Sequence, residues 1–204
     1  KLQVELDQEI HPLHNVIAVL PGKDYPDEWV IYGNHHDAWV NGASDPASGA
    51  AVVLETARTF AALGEKGWRP ERTIVFALWD AEEFGLVGST EWLEEHREEI
   101  EKKAVVYINS DSNGQGWIGA NGTPLLDAHL RGVLEEITDP VSGKRLLETP
   151  RLRREVSALG GPAPAFELTA PGAGSDYTAF VHHSGIPVLN LGFSGGDSGG
   201  VYHS

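Results

Sequence analysis

Apolar positions in this chain fall into short blocks whose period switches between that of a strand and that of a helix. Residues 1–15 are mostly polar and are placed as a candidate edge strand. VIAVL at 16–20 is a short apolar run stopped by Pro21-Gly22, and EWVIYG at 28–33 predicts a buried strand. PASGAAVVLETARTFAAL at 46–63 predicts a long helix ended by Gly64. RTIVFALW at 72–79 is the clearest strand; a helix over about 86–102 follows, then the buried strand AVVYIN at 104–109. Residues 123–137 read as helical, and residues 139–174 hold many Pro and Gly and predict loops. YTAFVHH at 177–183 predicts a helix, IPVLNL at 186–191 a strand, and SGGDSGG at 194–200 a flexible loop.

Strands alternating with helices predict an α/β fold, with a mixed, mostly parallel central sheet and helices on both faces. No internal repeat or domain boundary is visible, so residues 1–204 read as a single domain. In such sheets ligands gather at the carboxyl ends of the strands. His35, the Glu82–Glu83 pair and Asp111 each follow a strand candidate directly. Three strands would therefore deliver polar groups to one edge.

Composition narrows the function. Thirty acidic residues against fifteen basic ones give a formal charge of −15, which opposes binding to nucleic acid or to an anionic membrane. No apolar run is long enough to span a bilayer. The chain has no cysteine, which excludes disulfides and thiolate metal sites. The amino terminus lacks a signal-peptide layout, and with no methionine at all the chain reads as a fragment or processed form.

Five residues read as a two-metal cage: His35, Asp45, Glu83, Asp111 and His203. Two imidazoles and three carboxylates suit a pair of zinc ions sharing one carboxylate. Asp37 stands two positions after His35, where its carboxylate would fix the imidazole tautomer. Asp45, before Pro46, is either an ordinary helix N-cap or a carboxylate bridging two cations; a cis Asp45–Pro46 bond fits its X-Pro context. Glu82 and Glu83 are either two acids at a helix start or a proton carrier beside a ligand. Asp111 is either a turn residue or a ligand, and Tyr202 beside His203 would donate to a developing oxyanion. Gly174-Ser175-Asp176 is either a loop turn or part of the site's lining. GDSGG at 196–200 matches the nucleophile context of chymotrypsin-like serine proteases, but those are all-β with a triad histidine upstream, so it reads as a glycine-rich loop.

The string GNHHDAWVNGASDPASGA at 33–50 resembles the zinc peptidases of family M28. WRPERTIVFALWDAEEFGLVGSTEW at 68–92 is similar to the glutamate carboxypeptidase II branch, which also includes the transferrin receptor. YINSDS at 107–112 and YHS at 202–204 fit the same pattern. The resemblance implies a phosphorylase/hydrolase-like zinc exopeptidase core with two zinc ions per chain. His35 and Asp111 would bind one, Glu83 and His203 the other, and Asp45 both. Glu82 would be the general base, Asp37 the partner of His35, and Tyr202 a carbonyl-polarising hydroxyl.

The resemblance also sets alternatives. The transferrin receptor has lost such ligands, so a non-catalytic core without a metal pair is the second reading. A monozinc glutaminyl cyclase, which lacks the first histidine, is the third. The apical and carboxyl-terminal helical domains of that branch fall outside residues 1–204. Its arginine patch has no counterpart: Asn190 and Gly192 stand where arginines are expected. Ser175, Asp176 and Asn190 are the candidate substrate-binding residues. The implied partner is a peptide, attacked at its amino or carboxyl end. A homodimer of a longer protein and an extracytoplasmic setting, secreted or membrane-anchored, complete the expectations.

Overall fold

The computed structural model describes residues 2–140, 143–148, 166, 168–195 and 202–203. Its strands are β1 (Val16–Leu20), β2 (Tyr25–His35), β3 (Arg72–Trp79), β4 (Ala104–Asn109), β5 (Gly116–Gly122) and β6 (Val188–Gly195). Its α-helices are α1 (Ala47–Glu65), α2 (Val87–Glu95), α3 (Arg97–Lys103) and α4 (Asp127–Glu136). The strands form one six-stranded sheet in the order β1-β3-β2-β4-β6-β5. β3, β2, β4 and β6 run parallel, while β1 and β5 close the two edges antiparallel. Among the described residues no helix is long and apolar enough to cross a membrane.

Both faces of the sheet are covered, as the alternation of elements predicts. On one face Ile31, Val75, Ala77, Trp79, Tyr107 and Val188 pack against Leu93 of α2, Ile100 of α3 and Phe180. Residues one step out of phase turn to the other face, where the Phe60 ring of α1 sits 6.2 Å from Phe76. Leu189 meets Leu130 and Leu134 of α4. Leu93 is fully buried, so its truncation to alanine would cost about 2–5 kcal/mol.

Several elements differ from the sequence expectation. Residues 2–15 form no strand: Leu2, Val4, Leu6 and Ile10 are all exposed, and β1 itself takes the sheet edge beside β3. The helix expected over 86–102 is broken at His96, whose backbone lies at φ −104° and ψ 15°. That residue's Nδ1 lies 2.9 Å from the Trp92 carbonyl oxygen and its ring stacks on Trp92. The bend lets both Leu93 and Ile100 enter the core. β5 was not expected, because its glycines and Asn121 carry no strand periodicity; pairing with β6 makes it a strand. An added Cβ on Gly122 would come 2.5 Å from the Val188 carbonyl oxygen. The helix expected over 123–137 opens with a 3-10 turn at Pro124–Leu126, and residues 179–183 form a π-helical turn. β6 runs on through Gly195 into the expected loop, whose residues 196–200 lie outside the described ones.

Candidate metal centre

The carboxyl ends of β2, β3 and β4 lie side by side because the three strands are parallel neighbours. β2 ends on His35 itself. β3 ends at Trp79, and the chain then turns sharply through Ala81, at φ 54°, to present Glu82 and Glu83. A left-handed alanine is a strained conformation, costing on the order of 1–3 kcal/mol. The turn is tied by Asp80, whose Oδ1 accepts from the Ala81 amide at 2.9 Å. Beyond β4 the chain reaches Asp111.

Five of the expected residues converge as two groups that share Asp45. In the first, His35 Nε2 lies 2.9 Å from Asp45 Oδ1 and 3.3 Å from Asp111 Oδ1. In the second, His203 Nε2 lies 3.1 Å from Asp45 Oδ2 and 3.3 Å from Glu83 Oε1. The two oxygens of Asp45 thus face different groups, as a bridging carboxylate must. The N-cap reading of Asp45 fails, because Pro46 flanks α1 and no side chain caps its first turn; the Asp45–Pro46 bond is cis, as its X-Pro context allows. Glu82 and Glu83 precede α2 by a full turn, so they do not serve its first turn either.

The donor set fits zinc. Zinc bonds of about 2.1 Å in tetrahedral array put neighbouring ligand atoms about 3.4 Å apart. The observed separations within each group are close to that edge. Asp45 Oδ1 and Glu83 Oε1 are buried and make no well-formed hydrogen bond; each faces only an imidazole nitrogen, at 2.9 and 3.3 Å, and a cation between the groups would satisfy them.

Asp37 organises this edge. Its backbone carbonyl and Oδ1 lie 3.0 and 3.3 Å from His35 Nδ1, so a proton on that nitrogen leaves Nε2 free to face Asp45 and Asp111. Its two carboxylate oxygens also accept from the Glu82 and Glu83 amides, at 2.9 and 3.3 Å. One side chain thereby fixes the His35 imidazole and the backbone of the paired glutamates.

The cleft in front of these groups holds about 380 Å³ and is lined by Asp45, Glu82, Glu83, Asp111, Tyr202 and His203, together with Gly85, Leu86, Ala173 and Gly174. The Tyr202 ring stacks on His203, 3.9 Å between centroids. Glu82 Oε2 sits 3.9 Å from His35 Nε2. Burial raises the Glu82 carboxyl to about 8 in the metal-free site, with the charges of Asp176, Asp111 and Glu83 adding and that of His35 opposing. Burial would lower His35, but hydrogen bonds to Asp111 and Asp37 and the surrounding negative charge lift it to about 11. A metal ion bound at His35 would have to displace a proton there.

Ser175, Asp176 and Asn190 stand behind the ligands rather than on the cleft's surface. The Ser175 hydroxyl donates to Asp111 Oδ2. Asp176 is fully buried, and neither oxygen has a well-formed hydrogen bond; the nearby Ser89 hydroxyl donates instead to the Leu86 carbonyl, at 3.3 Å. Asn190 Oδ1 accepts from Asn109 at 3.0 Å. The sequence reading missed Asn34, whose Nδ2 donates to the carbonyls of Pro46 at 3.1 Å and Asp111 at 3.0 Å, joining the two ligand loops. A polar side chain inside an otherwise apolar strand was the available signal.

Fold and site together place a candidate metal-binding cluster at the carboxyl edge of a largely parallel sheet. The model of Peptidase family M28 matches residues 15–204, and the chain belongs to that family. It is 42% identical over 197 residues to a probable glutamate carboxypeptidase, LAMP1, of Arabidopsis thaliana, covering 96% of this chain and 28% of that protein. It is also 42% identical over 199 residues to the mouse (Mus musculus) aminopeptidase NAALADL1, covering 95% and 26% respectively. The chain thus spans about a quarter of the length of these relatives. The zinc aminopeptidase BSAP of Bacillus subtilis shares the fold, with a TM-score of 0.61 at 23% identity over 92% of this chain and 41% of that one.

Proposed function

We propose that this chain is the catalytic core of a dizinc exopeptidase that hydrolyses a terminal peptide bond. The observation that carries the proposal is the shared carboxylate: Asp45 turns one oxygen to His35 and the other to His203. His35 and Asp111 would hold one zinc, Glu83 and His203 the other, and Asp45 both. Zinc bound there lowers the pKa of a water and polarises the scissile carbonyl. Glu82 lines the cleft beside these ligands without belonging to either group, and it takes the proton of the attacking water. It then returns that proton to the departing amine. Tyr202, at the mouth of the cleft, donates its hydroxyl to the oxyanion of the tetrahedral intermediate.

The side chains that line the cleft favour one end of the peptide. Among its described lining residues there are four carboxylates and neither lysine nor arginine. Bound zinc would offset the carboxylates assigned to it, so the preference for the amine end rests on the described lining having neither lysine nor arginine to pair with an α-carboxylate. The names of the relatives include both a carboxypeptidase and an aminopeptidase, so the preference is a direct question for experiment.

The test uses zinc-loaded protein with two peptides, one having a free amine and an amidated carboxyl end, the other acylated and with a free carboxylate. Cleavage of the first, abolished in Glu82→Gln with zinc content unchanged, is the expected result. A Glu82→Gln variant that keeps its turnover removes Glu82 from the role of base. Cleavage of the acylated peptide alone overturns the amine preference.

A further inference from the structure

Behind Asp111 runs a line of buried polar groups that neither metal group uses. The Trp79 indole Nε1 donates to the Tyr107 hydroxyl at 2.9 Å, and that hydroxyl donates to Asn109 Oδ1 at 2.9 Å. Asn109 Nδ2 donates to Ser175 Oγ at 3.0 Å and to Asn190 Oδ1 at 3.0 Å. The Ser175 hydroxyl then donates to Asp111 Oδ2. Trp79, Tyr107 and Asn109 are fully buried and Ser175 nearly so.

The direction of every bond in this line is forced. An indole N–H only donates, and an ionised carboxylate only accepts. The Tyr107 oxygen receives the indole proton and must turn its own proton to Asn109. Asn109 must then present its oxygen to Tyr107 and both its N–H groups to Ser175 and Asn190. Ser175 Oγ, already holding a proton from Asn109, has its own left for Asp111. The line is also closely fitted. A Cβ added to Gly33 of β2 would sit 2.8 Å from the Tyr107 hydroxyl and 3.0 Å from Trp79 Nε1.

We propose that Tyr107 and Asn109 are positioning residues for the metal position formed by His35, Asp45 and Asp111, acting through Ser175. They keep the Ser175 proton aimed at Asp111 Oδ2, so that Oδ1 stays turned toward His35 Nε2, 3.3 Å away. Without the Tyr107 proton, the Asn109 amide is free to flip and offer its oxygen to Ser175. The serine proton would then leave Asp111, whose carboxylate would lose its fixed orientation. Ser175 stands one step behind Asp111, where such partners are worth about 10–100-fold in metal affinity, and Tyr107 and Asn109 act through it. The inference rests on the dizinc reading above.

Its test is a zinc titration against a competing chelator, with the thermal midpoint read on each variant. In a Glu83→Ala background the titration reports the position held by His35, Asp45 and Asp111. In an Asp111→Ala background it reports the other. Tyr107→Phe, which removes a single oxygen, is expected to weaken binding about tenfold in the first background and to leave the second unchanged. Ser175→Ala is expected to produce the same loss in the first background, and adding Tyr107→Phe to it should change nothing further. Should Tyr107→Phe fold poorly, Asn109→Asp, of the same shape but lacking both N–H donors, is read in its place with the same expectation. Equal weakening at both positions, no weakening at either, or a full additional loss on top of Ser175→Ala overturns the inference while leaving the dizinc reading intact. A parent chain that binds no zinc overturns both.

Discussion

Replacing Gly49 by alanine adds one methyl group at the point where the first turn of α1 meets the Asp111 loop. An added Cβ there would lie 1.9 Å from the Asp111 carbonyl oxygen, 2.0 Å from that of Ser110 and 2.6 Å from Asn34 Nδ2. Ordinary contact begins at 3.4 Å, so helix and loop must separate by roughly 1.5 Å. Neither obstructing oxygen is the tip of a flexible side chain, and Asn34 is held by its bonds to Pro46 and Asp111. Overpacking of this severity costs about 3 kcal/mol. Better helix propensity returns up to about 1 kcal/mol. The net loss of about 2 kcal/mol lowers the thermal midpoint by about 4–8 °C in a chain of this length. The movement must also separate Asp45, at the start of α1, from Asp111. A misplacement of about 1 Å can cost about 100-fold in rate, so the zinc-loaded protein should lose turnover as well. Gly132→Ala is the control. That glycine lies within α4 with nothing within 4 Å of an added Cβ, and the change should raise the midpoint by about 2–4 °C. Thermal melts of the three proteins, with a zinc titration of each, check the reasoning. A Gly49→Ala protein that melts at or above the parent and binds zinc as the parent does would refute it.

Asp45→Ala should release both metals together, because each group depends on one of its oxygens; retention of one zinc per chain would show that Asp45 does not bridge. The metal-free protein should lose stability as pH rises from 5 to 8.5. Burial raises Glu82 to about 8 and Asp176 to about 7, so the folded state holds protons that the unfolded chain releases near pH 4; that stabilisation is complete below the unfolded values and lost as pH rises through the folded ones. His35, lifted to about 11, acts in the same direction above its unfolded value of 6.5. A melting midpoint that is flat or rising over this range counts against the reading, and Glu82→Gln should flatten part of the slope.

Much of the site was legible because its residues sit at the ends of the strongest strand patterns. RTIVFALW and AVVYIN fix where β3 and β4 stop, and the polar residues just beyond must then share an edge. Which oxygen of Asp45 faces which histidine is not written in any local pattern, since it depends on how α1 leaves β2. The line from Trp79 to Ser175 was illegible for a similar reason. Trp79, Tyr107 and Asn109 each read as strand residues with ordinary burial, and only the register of β2, β3 and β4 brings their polar atoms together. β5 escaped notice because its strand character comes from pairing with β6 rather than from its own side chains. Residues 1–15 erred in the opposite direction: a polar stretch placed as a candidate edge strand leaves Leu2, Val4 and Leu6 exposed, and β1 takes the edge instead.

Five side chains, from one sheet edge and one distant loop, are proposed to hold two metal ions through a shared carboxylate. Zinc per chain, measured by elemental analysis after dialysis against trace zinc, tests it most directly. Two per chain is the expected value in the parent. A value near zero would contradict the metal centre altogether, and a value of one would contradict the bridge at Asp45.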